Sequence, residues 1–338
     1  MQIHRRDLFK LMGLTGAGLG VSRFASPALA AQSTSAPAAG GRVTVDNWPF
    51  QEVRIPFKER KAKVKWPNNA KLAVRVYITT EWNSGPANRE GAFYKPDLYV
   101  ISRDSQYTFT VGVYRAMEVV AKYGIPISSF PNGAVVAAYP DLFREQHKLG
   151  YEITARSWDH AFAPPMLRPD QVRAELLRVT DSISQIIGER PVGWISPGGR
   201  CSDKSPEILA DLGYLWVGDL DGDDIPYGLK FGNKMIVAIP HRQMTTNDLH
   251  SFVRESGEGV RDVEMAFEFF QHTFNHYYET ATTEAPNMLM YGIHPYWTCW
   301  PDRIAFHDKA LRYMKGFKDV WFARHKDLAQ YWKDTYLT

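Results

Sequence analysis

The chain has 338 residues, of which 44% are hydrophobic and 13% aromatic, and its formal net charge at pH 7 is +3. This length and apolar content support one large or two small folded domains and exclude a disordered or fibrous protein. A nearly balanced charge offers no basic surface for phosphate contacts, so no nucleic-acid partner is expected.

The first thirty residues are typical of an export signal rather than of a folded element. Arg5 and Arg6 precede a short apolar segment interrupted by glycines (residues 11–21), and residues 28–30 supply the small side chains that a signal peptidase requires. The pattern resembles a twin-arginine signal, and the apolar run is shorter than the ~20 residues of a membrane span. We therefore expect the twin-arginine export machinery as a partner, a mature protein that begins near Ala31 without a membrane span, and a periplasmic or secreted location.

Residues 31–70 are predicted to form a flexible tether and an N-terminal arm. Residues 31–41 have low complexity, and residues 43–67 are rich in Lys, Arg, Trp and Pro without clear periodicity. The folded domain is predicted to span residues 71–335.

Strand and helix patterns alternate along this domain. Strands are predicted, in chain order, at residues 72–79, 127–130, 152–155, 192–195, 214–217, 235–239, 288–293 and 320–322. Helices are predicted between them at residues 111–123, 134–149 with a break at Pro140, 169–187, 204–212, 260–278, 304–314 and 325–332. This rhythm indicates parallel βα units. No glycine-rich dinucleotide turn follows a strand, so the predicted fold is α/β, an irregular parallel (β/α) barrel rather than a doubly wound sheet.

Polar side chains cluster just after the predicted strands. The clusters are Glu81, residues 156–160, residues 196–201, residues 219–227, residues 241–248 and His294. In a barrel these positions converge on one face, where active sites lie. For any single cluster the alternative is a solvated loop in which Asp and Asn fill turn and capping roles.

The order of these segments and the residues within them resemble those of the polysaccharide deacetylase family (carbohydrate esterase family 4, the NodB-homology domain) over about residues 72–332. The family's first motif, T-F-D-D, is similar to residues 78–83, which keep a carboxylate at Glu81 and place Trp82 where a metal ligand belongs. The second motif, H-S/T-x-x-H, is similar to residues 156–160, in which arginine replaces the first histidine. The resemblance implies a distorted parallel (β/α) barrel of the NodB-homology type that hydrolyses N- or O-acyl groups.

Two of the three metal ligands of that family are therefore missing. No cofactor is expected; a divalent metal such as zinc would find only His160 at a matched position, and Arg156 supplies fixed positive charge instead. Further segments are similar to the metal-independent, allantoinase-like branch of the family, namely residues 194–200, 223–227, 246–248, 289–294 and 320–324.

Hydrolysis of an amide or ureide needs a base to activate water, donors for the oxyanion and an acid for the leaving nitrogen. The candidate catalytic residues are Glu81 as base or water positioner, His294 as acid, Arg156 as oxyanion donor, and His160. The alternatives are a structural ion pair between Glu81 and Arg156 and a hydrogen-bonded core histidine at 294. The candidate substrate-binding residues are Asp159, Trp158, Trp194, Arg200, Asp224, Tyr227, Asn247, Asp248 and Tyr296.

The leading hypothesis is an exported hydrolase of non-peptide carbon–nitrogen bonds that works without the Asp-His-His metal site. The alternatives are a metal-dependent carbohydrate N-deacetylase and a catalytically inactive barrel that binds a carbohydrate or ureide. A small-molecule or carbohydrate substrate is expected, and a homo-oligomer stays open. Cys201 and Cys299 both follow active-face segments, and we hypothesise that they lie close enough for a disulfide bond in the exported protein.

Overall fold

The computed structural model describes residues 48–82, 98, 101–161, 163–241, 246–252 and 262–338. Pro49–Thr338 forms one compact unit. The predicted signal peptide and the first part of the tether and arm lie outside the described residues. Within the described ranges, no helix combines the length and the apolar character needed to cross a bilayer.

The strands occur close to where alternating and β-branched runs predict them. In the described ranges they are β1 (Gln51–Val53), β2 (Leu72–Thr80), β3 (Ile127–Pro131), β4 (Glu152–Ile153), β5 (Gly193–Trp194), β6 (Trp216–Val217), β7 (Tyr227–Phe231), β8 (Lys234–Ala238), β9 (Asn287–Ile293) and β10 (Val320–Phe322). All residues of β2 are buried, which matches its run of β-branched and apolar side chains. β2 is therefore the central strand of the domain.

Helices separate most of the strands. In the described ranges they are α1 (Phe57–Lys63), α2 (Val113–Ala121), α3 (Gly133–Ala138), α4 (Pro140–Lys148), α5 (Pro169–Ile187), α6 (Ser205–Asp211), α7 (Val263–Thr283), α8 (Pro295–Thr298), α9 (Ile304–Lys315) and α10 (His325–Tyr336). α5 begins with Pro169, buries Val172, Leu176 and Val179, and ends before Gly188 in the left-handed conformation with a φ of 80°. Periodicity and capping residues thus set its bounds.

The strands form two sheets that meet at two seams. One sheet has the order β10-β2-β3-β4 with β9 paired to β2, and the other has the order β1-β7-β8-β6-β5. Single parallel bridges join Ala155 to Trp194 and Asn247 to Gly292, which connects the sheets on both sides. The result is the predicted α/β architecture, a distorted parallel (β/α) barrel. The structure adds antiparallel pairing of β7 with both β1 and β8, which the sequence did not predict.

The interior of the barrel is filled with aromatic side chains below the strand ends. Tyr77 of β2 stacks on Phe130 of β3 with ring centroids 4.7 Å apart. A Cβ atom on Gly292 would lie 2.3 Å from the Tyr77 hydroxyl, and a Cβ atom on Gly193 would lie 2.0 Å from Trp216. Glycine is required at both positions because the aromatic rings occupy that space. The packed interior therefore provides a floor for any site at the strand ends.

Candidate active site

A cleft of about 280 Å³ opens where the barrel strands end. Six of the residues predicted from the sequence line it, namely Glu81, Arg156, His160, Asn247, His294 and Tyr296. Glu81 follows β2, Arg156 follows β4, and His294 follows β9. The carboxyl ends of parallel strands meet at one end of a barrel, which explains why residues so distant in sequence converge.

Glu81 is held as an ionised carboxylate. Its Oε1 lies 2.8 Å from Arg156 Nη1 and 3.6 Å from His160 Nδ1, and it accepts a hydrogen bond of 2.9 Å from Thr79 Oγ1. Burial would raise the pKa of Glu81, but electrostatic contacts with His160, Arg156 and His294 and the hydrogen bond from Thr79 outweigh it and lower the pKa to about 2. These contacts use Oε1, which leaves Oε2 as the oxygen that can orient a water molecule in the cleft.

The residues of the two matched motifs do not fit the divalent metal that the family resemblance implies. Of the three motif ligands only His160 is retained, and Glu81 is paired with the guanidinium of Arg156, which would repel a cation. The described residues contain no group of three or more His, Cys, Asp or Glu side chains that could hold a metal ion. Arg156 is nearly buried, and its Nε has no hydrogen-bond partner among the described residues. We therefore derive no catalytic step through a metal.

His160 lies in the turn after β4 and is neutral near pH 7. Its backbone N–H donates to the carbonyl of Trp82 over 3.0 Å, which brings the ring toward Glu81. Burial lowers the pKa of His160 to about 4; Glu81 opposes this effect, and Arg156 and His294 add to it. Nδ1 has no hydrogen-bond partner among the described residues. His160 lines the cleft, so its neutral imidazole can accept a proton from a water molecule there.

His294 is oriented by a buried carboxylate. Its Nδ1 lies 2.6 Å from Asp248 Oδ1, and its backbone N–H donates to Asp248 Oδ2 over 2.6 Å. Burial would raise the pKa of Asp248, but the adjacent His294 and its hydrogen bonds lower it. Since Nδ1 is occupied, Nε2 is the ring nitrogen that can meet a substrate. Asp248 was predicted to bind substrate; it lies behind His294 instead and is not among the described residues that line the cleft.

The sequence did not identify several groups that complete the cleft wall. They are Tyr77, Ile195, Gly198, Gly199, Gly218, Asp221, His241, Leu249 and His250. Asp221 Oδ1 accepts a hydrogen bond of 2.8 Å from the backbone N–H of His241, so the loops after β6 and β8 support each other. Both loops were recognised as polar clusters after strands, and that signal could have placed Asp221 and His241 in the candidate site. Tyr77 lies within a strand, where nothing in the sequence distinguishes it from core.

Two predicted aromatic ligand contacts belong to the packing of the domain. Trp194 is buried, and its indole N–H donates to Ser196 Oγ over 2.9 Å. Trp158 lies under the guanidinium of Arg178, whose carbon is 3.6 Å from the ring centroid. Neither tryptophan is among the described residues that line the cleft, because the barrel's outer layer takes up both rings.

Asp224 and Tyr227 are also removed from the cleft, since the N-terminal arm occupies their surroundings. The guanidinium of Arg54 lies over the ring of Tyr227 with its carbon 3.6 Å from the centroid. Asp224 is exposed, and its neighbour Asp223 contacts Arg54 and Arg60 at 2.7 Å each. The predicted ligand segment is therefore where the arm is anchored.

The two remaining predicted contacts are peripheral. Asp159 Oδ1 accepts the backbone N–H of Ala161 over 2.8 Å in a turn, and Arg200 is exposed outside the described cleft lining. Cys201 and Cys299 are both free thiols, so the hypothesised disulfide bond is not formed in this structure.

Comparisons with known proteins agree with this architecture. Residues 99–217 match the family model described as polysaccharide deacetylase. A curated peptidoglycan deacetylase of Helicobacter pylori is 24% identical over 124 residues, which are 36% of this chain and 42% of that protein. The chain thus spans less than half the length of that relative.

Solved structures share the fold. The structure of Puue allantoinase matches with a TM-score of 0.72 and 23% identity, covering 84% of this chain and 96% of that one. A probable polysaccharide deacetylase from Pseudomonas aeruginosa matches with a TM-score of 0.71 and 23% identity, covering 83% and 95%. The predicted fold of the deacetylase (NodB-homology) type is confirmed.

Proposed function

We propose that this chain, whose residues 99–217 match the polysaccharide deacetylase family model, hydrolyses a non-peptide carbon–nitrogen bond, in an amide or a ureide, without a catalytic metal. The observation that carries this proposal is the pairing of Glu81 with Arg156 at 2.8 Å, across a cleft that is also lined by His294. A carboxylate with the neighbouring imidazole of His160, a fixed cation and a carboxylate-oriented imidazole supply the three functions that such a hydrolysis requires.

The proposed division of labour follows from the charges of these groups. Glu81 orients the attacking water through Oε2, and its pKa of about 2 makes it a weak proton acceptor. His160 is neutral, more basic than Glu81, and near enough to take the proton from that water. Arg156 stabilises the oxyanion of the tetrahedral intermediate. His294 donates to the leaving nitrogen from its doubly protonated ring, whose Nδ1 proton is held by Asp248, and the Nε2 proton is then replaced from solvent while His160 releases the proton that it took from the water.

Two substrate classes have support. The fold shared with Puue allantoinase favours a cyclic ureide, and the match to a peptidoglycan deacetylase favours an N-acetylated sugar. Export through the twin-arginine pathway would carry the enzyme to the periplasm or outside the cell, where it would meet either substrate. Asn247 and Tyr296 line the cleft and would donate or accept hydrogen bonds with the polar groups of both classes.

The test uses protein purified after native export, whose N-terminal residue should lie near Ala31. Metal content is measured, and hydrolysis of allantoin-type ureides and of N-acetyl-sugar oligomers is assayed with and without chelator. We expect turnover that chelator does not reduce, with no stoichiometric metal. Glu81→Gln and His294→Ala should each lower kcat roughly 10²–10⁴-fold, the range for positioned acid–base groups. Asp224→Asn, an exposed acid outside the cleft lining, serves as the control and should retain activity.

Other results would contradict this proposal in distinguishable ways. About one ion per chain with activity lost on chelation would favour a metal-dependent carbohydrate deacetylase. Ligand binding without turnover by the unmodified protein would favour a binding barrel.

A further inference from the structure

A continuous set of buried hydrogen bonds extends behind Asp248, away from the cleft. It passes from Asp248 to Thr298, from Thr298 to His307, and from His307 to Tyr291. We propose that Thr298, His307 and Tyr291 form a directional relay that anchors Asp248 and thereby fixes the tautomer of His294. The inference rests on the proposed role of His294 as a proton carrier, and the three residues act as positioning residues.

The contacts are short and shielded from solvent. His307 Nε2 lies 2.7 Å from Thr298 Oγ1, and His307 Nδ1 lies 2.8 Å from the Tyr291 hydroxyl. Thr298 Oγ1 also contacts Asp248 Oδ2. Thr298 and His307 have no exposed surface, and Tyr291 and Asp248 are 1% exposed. Water therefore does not compete for these hydrogen bonds, and each partner must be supplied by the next residue in the set.

The direction of every hydrogen bond follows from the number of available protons. Asp248 is ionised and accepts only, so the hydroxyl proton of Thr298 must point to Oδ2. Thr298 then has only a lone pair for His307, so Nε2 of His307 must carry a proton. Burial lowers the pKa of His307 to about 4, so its ring is neutral and Nδ1 is unprotonated. That nitrogen accepts the hydroxyl proton of Tyr291.

The same count of donors and acceptors determines which ring nitrogen of His294 carries a proton. Asp248 Oδ1 can only accept, so the 2.6 Å contact requires a proton on His294 Nδ1 and leaves Nε2 bare in the neutral ring. If Tyr291 were absent, His307 could change tautomer and the Thr298 hydroxyl could turn toward it. Asp248 would then lose a donor and its fixed orientation.

The fold supplies each member of the relay from a different position. Tyr291 lies in β9, three residues before His294, and Thr298 lies at the end of α8. His307 lies in α9, whose buried face covers this end of β9. Four other polar or titratable side chains face His294, namely Tyr77, Tyr296, Glu81 and His160. None of them is substituted in the variants below.

The kinetic test compares Thr298→Val, His307→Leu and His307→Gln. Thr298→Val removes the hydrogen bond to Asp248, and His307→Leu leaves the Thr298 hydroxyl free to turn to the His294 carbonyl, 3.3 Å away. Each variant should therefore lower kcat roughly tenfold, with KM little changed. Glutamine retains an N–H donor and a carbonyl acceptor, so His307→Gln should restore kcat to within about threefold of the original. A residue that only fills space would respond equally to leucine and glutamine, and that outcome would overturn the relay.

The second test does not depend on turnover, so it remains decisive even if no substrate is hydrolysed and the proposed function fails. Ring ¹⁵N resonances of labelled histidines report each tautomer. We expect Nε2–H for His307 and Nδ1–H for His294 in the unmodified protein, and mixed tautomers of His307 in Tyr291→Phe. Tyr313→Phe is the matched control, because the Tyr313 hydroxyl donates to Asn275 over 2.7 Å outside the relay. Finding Nδ1–H on His307, or no response to Tyr291→Phe, would contradict the proposal.

Discussion

Arg156 sets the electrostatics of the cleft. It is nearly buried, its charge does not depend on pH, and it bonds to both Glu81 and Thr79. The guanidinium of Arg156 stabilises the Glu81 carboxylate through Oε1 alone. Oε2 of Glu81 is therefore left to hold a water molecule. The chemistry proposed for the cleft therefore depends on this one cation.

Replacing Arg156 by methionine should change the pH dependence of hydrolysis. Arg156 lowers the pKa of both Glu81 and His160, so removing it raises both values. Each group then becomes protonated at a higher pH, and the acid limb of kcat/KM should move upward by roughly one pH unit or more. Arg178→Met, which removes an arginine stacked on Trp158, is the control and should leave the limb in place. An unmoved limb in the Arg156 variant would show that this charge does not govern the cleft.

The candidate residues show what sequence could and could not provide. Glu81, Arg156 and His294 each follow a recognisable strand, so convergence at the strand ends brought them together as predicted. Trp194 and Tyr227 also lie in conspicuous segments, but their side chains point into packing that depends on distant elements. Which way a side chain near a strand end faces depends on those neighbours, and local sequence does not contain that information.

At the level of elements, periodic segments were predicted well and short paired segments were not. α5 and β2 carry long, consistent patterns, and their observed bounds lie within a residue of the predicted ones. β1 and β7 are antiparallel partners more than 170 residues apart, as the pair Glu52 and Leu229 shows. Their strand character arises from this pairing rather than from local propensity, so the sequence could not reveal it.

The N-terminal arm is expected to stabilise the barrel through Asp223. This carboxylate is 6% exposed and binds Arg54 and Arg60, so Asp223→Ala would remove a salt bridge from each of two partly buried cations, leaving Arg54 with Glu52 and Arg60 with the Ile55 carbonyl. We expect the free energy of unfolding to fall by about 2–4 kcal/mol, somewhat below the cost of breaking a fully buried pair because Arg54 is partly exposed. Urea denaturation measures the change, and the exposed neighbour Asp224→Ala is the control, expected within about 0.5 kcal/mol of the parent. Equal stability of the two variants would show that the arm is not anchored here.

At the scale of the whole molecule, the barrel buries several imidazoles in the neutral form. Burial lowers the pKa of His160 and His307 to about 4 and also holds that of His325 well below its ordinary value. Two buried carboxyls oppose them, because burial raises the pKa of Asp219 to about 6 and also raises that of Glu152. The folded protein therefore holds internal imidazoles whose protonation, and internal carboxyls whose ionisation, favours the unfolded chain.

Acid should destabilise the protein well before its surface carboxylates are protonated. A histidine with a lowered folded-state pKa contributes stability that is complete above about pH 6.5 and is lost as the pH falls toward the folded value. For His307 the difference between about 6.5 and about 4 corresponds to at most about 3 kcal/mol. Protonation of Asp219 and Glu152 stabilises the folded protein over part of the same interval, so three imidazoles acting against two carboxyls should leave a net loss of stability between pH 7 and pH 5.

Urea denaturation across this range measures how steeply the free energy of unfolding changes with pH. The slope should be smaller in His307→Gln and unchanged in His276→Gln, which replaces an exposed histidine of α7. A free energy of unfolding that stays constant or rises on acidification, with the same slope in His307→Gln as in the parent, would mean that His307 is charged in the folded protein and that its ring donates to Tyr291 instead of accepting from it.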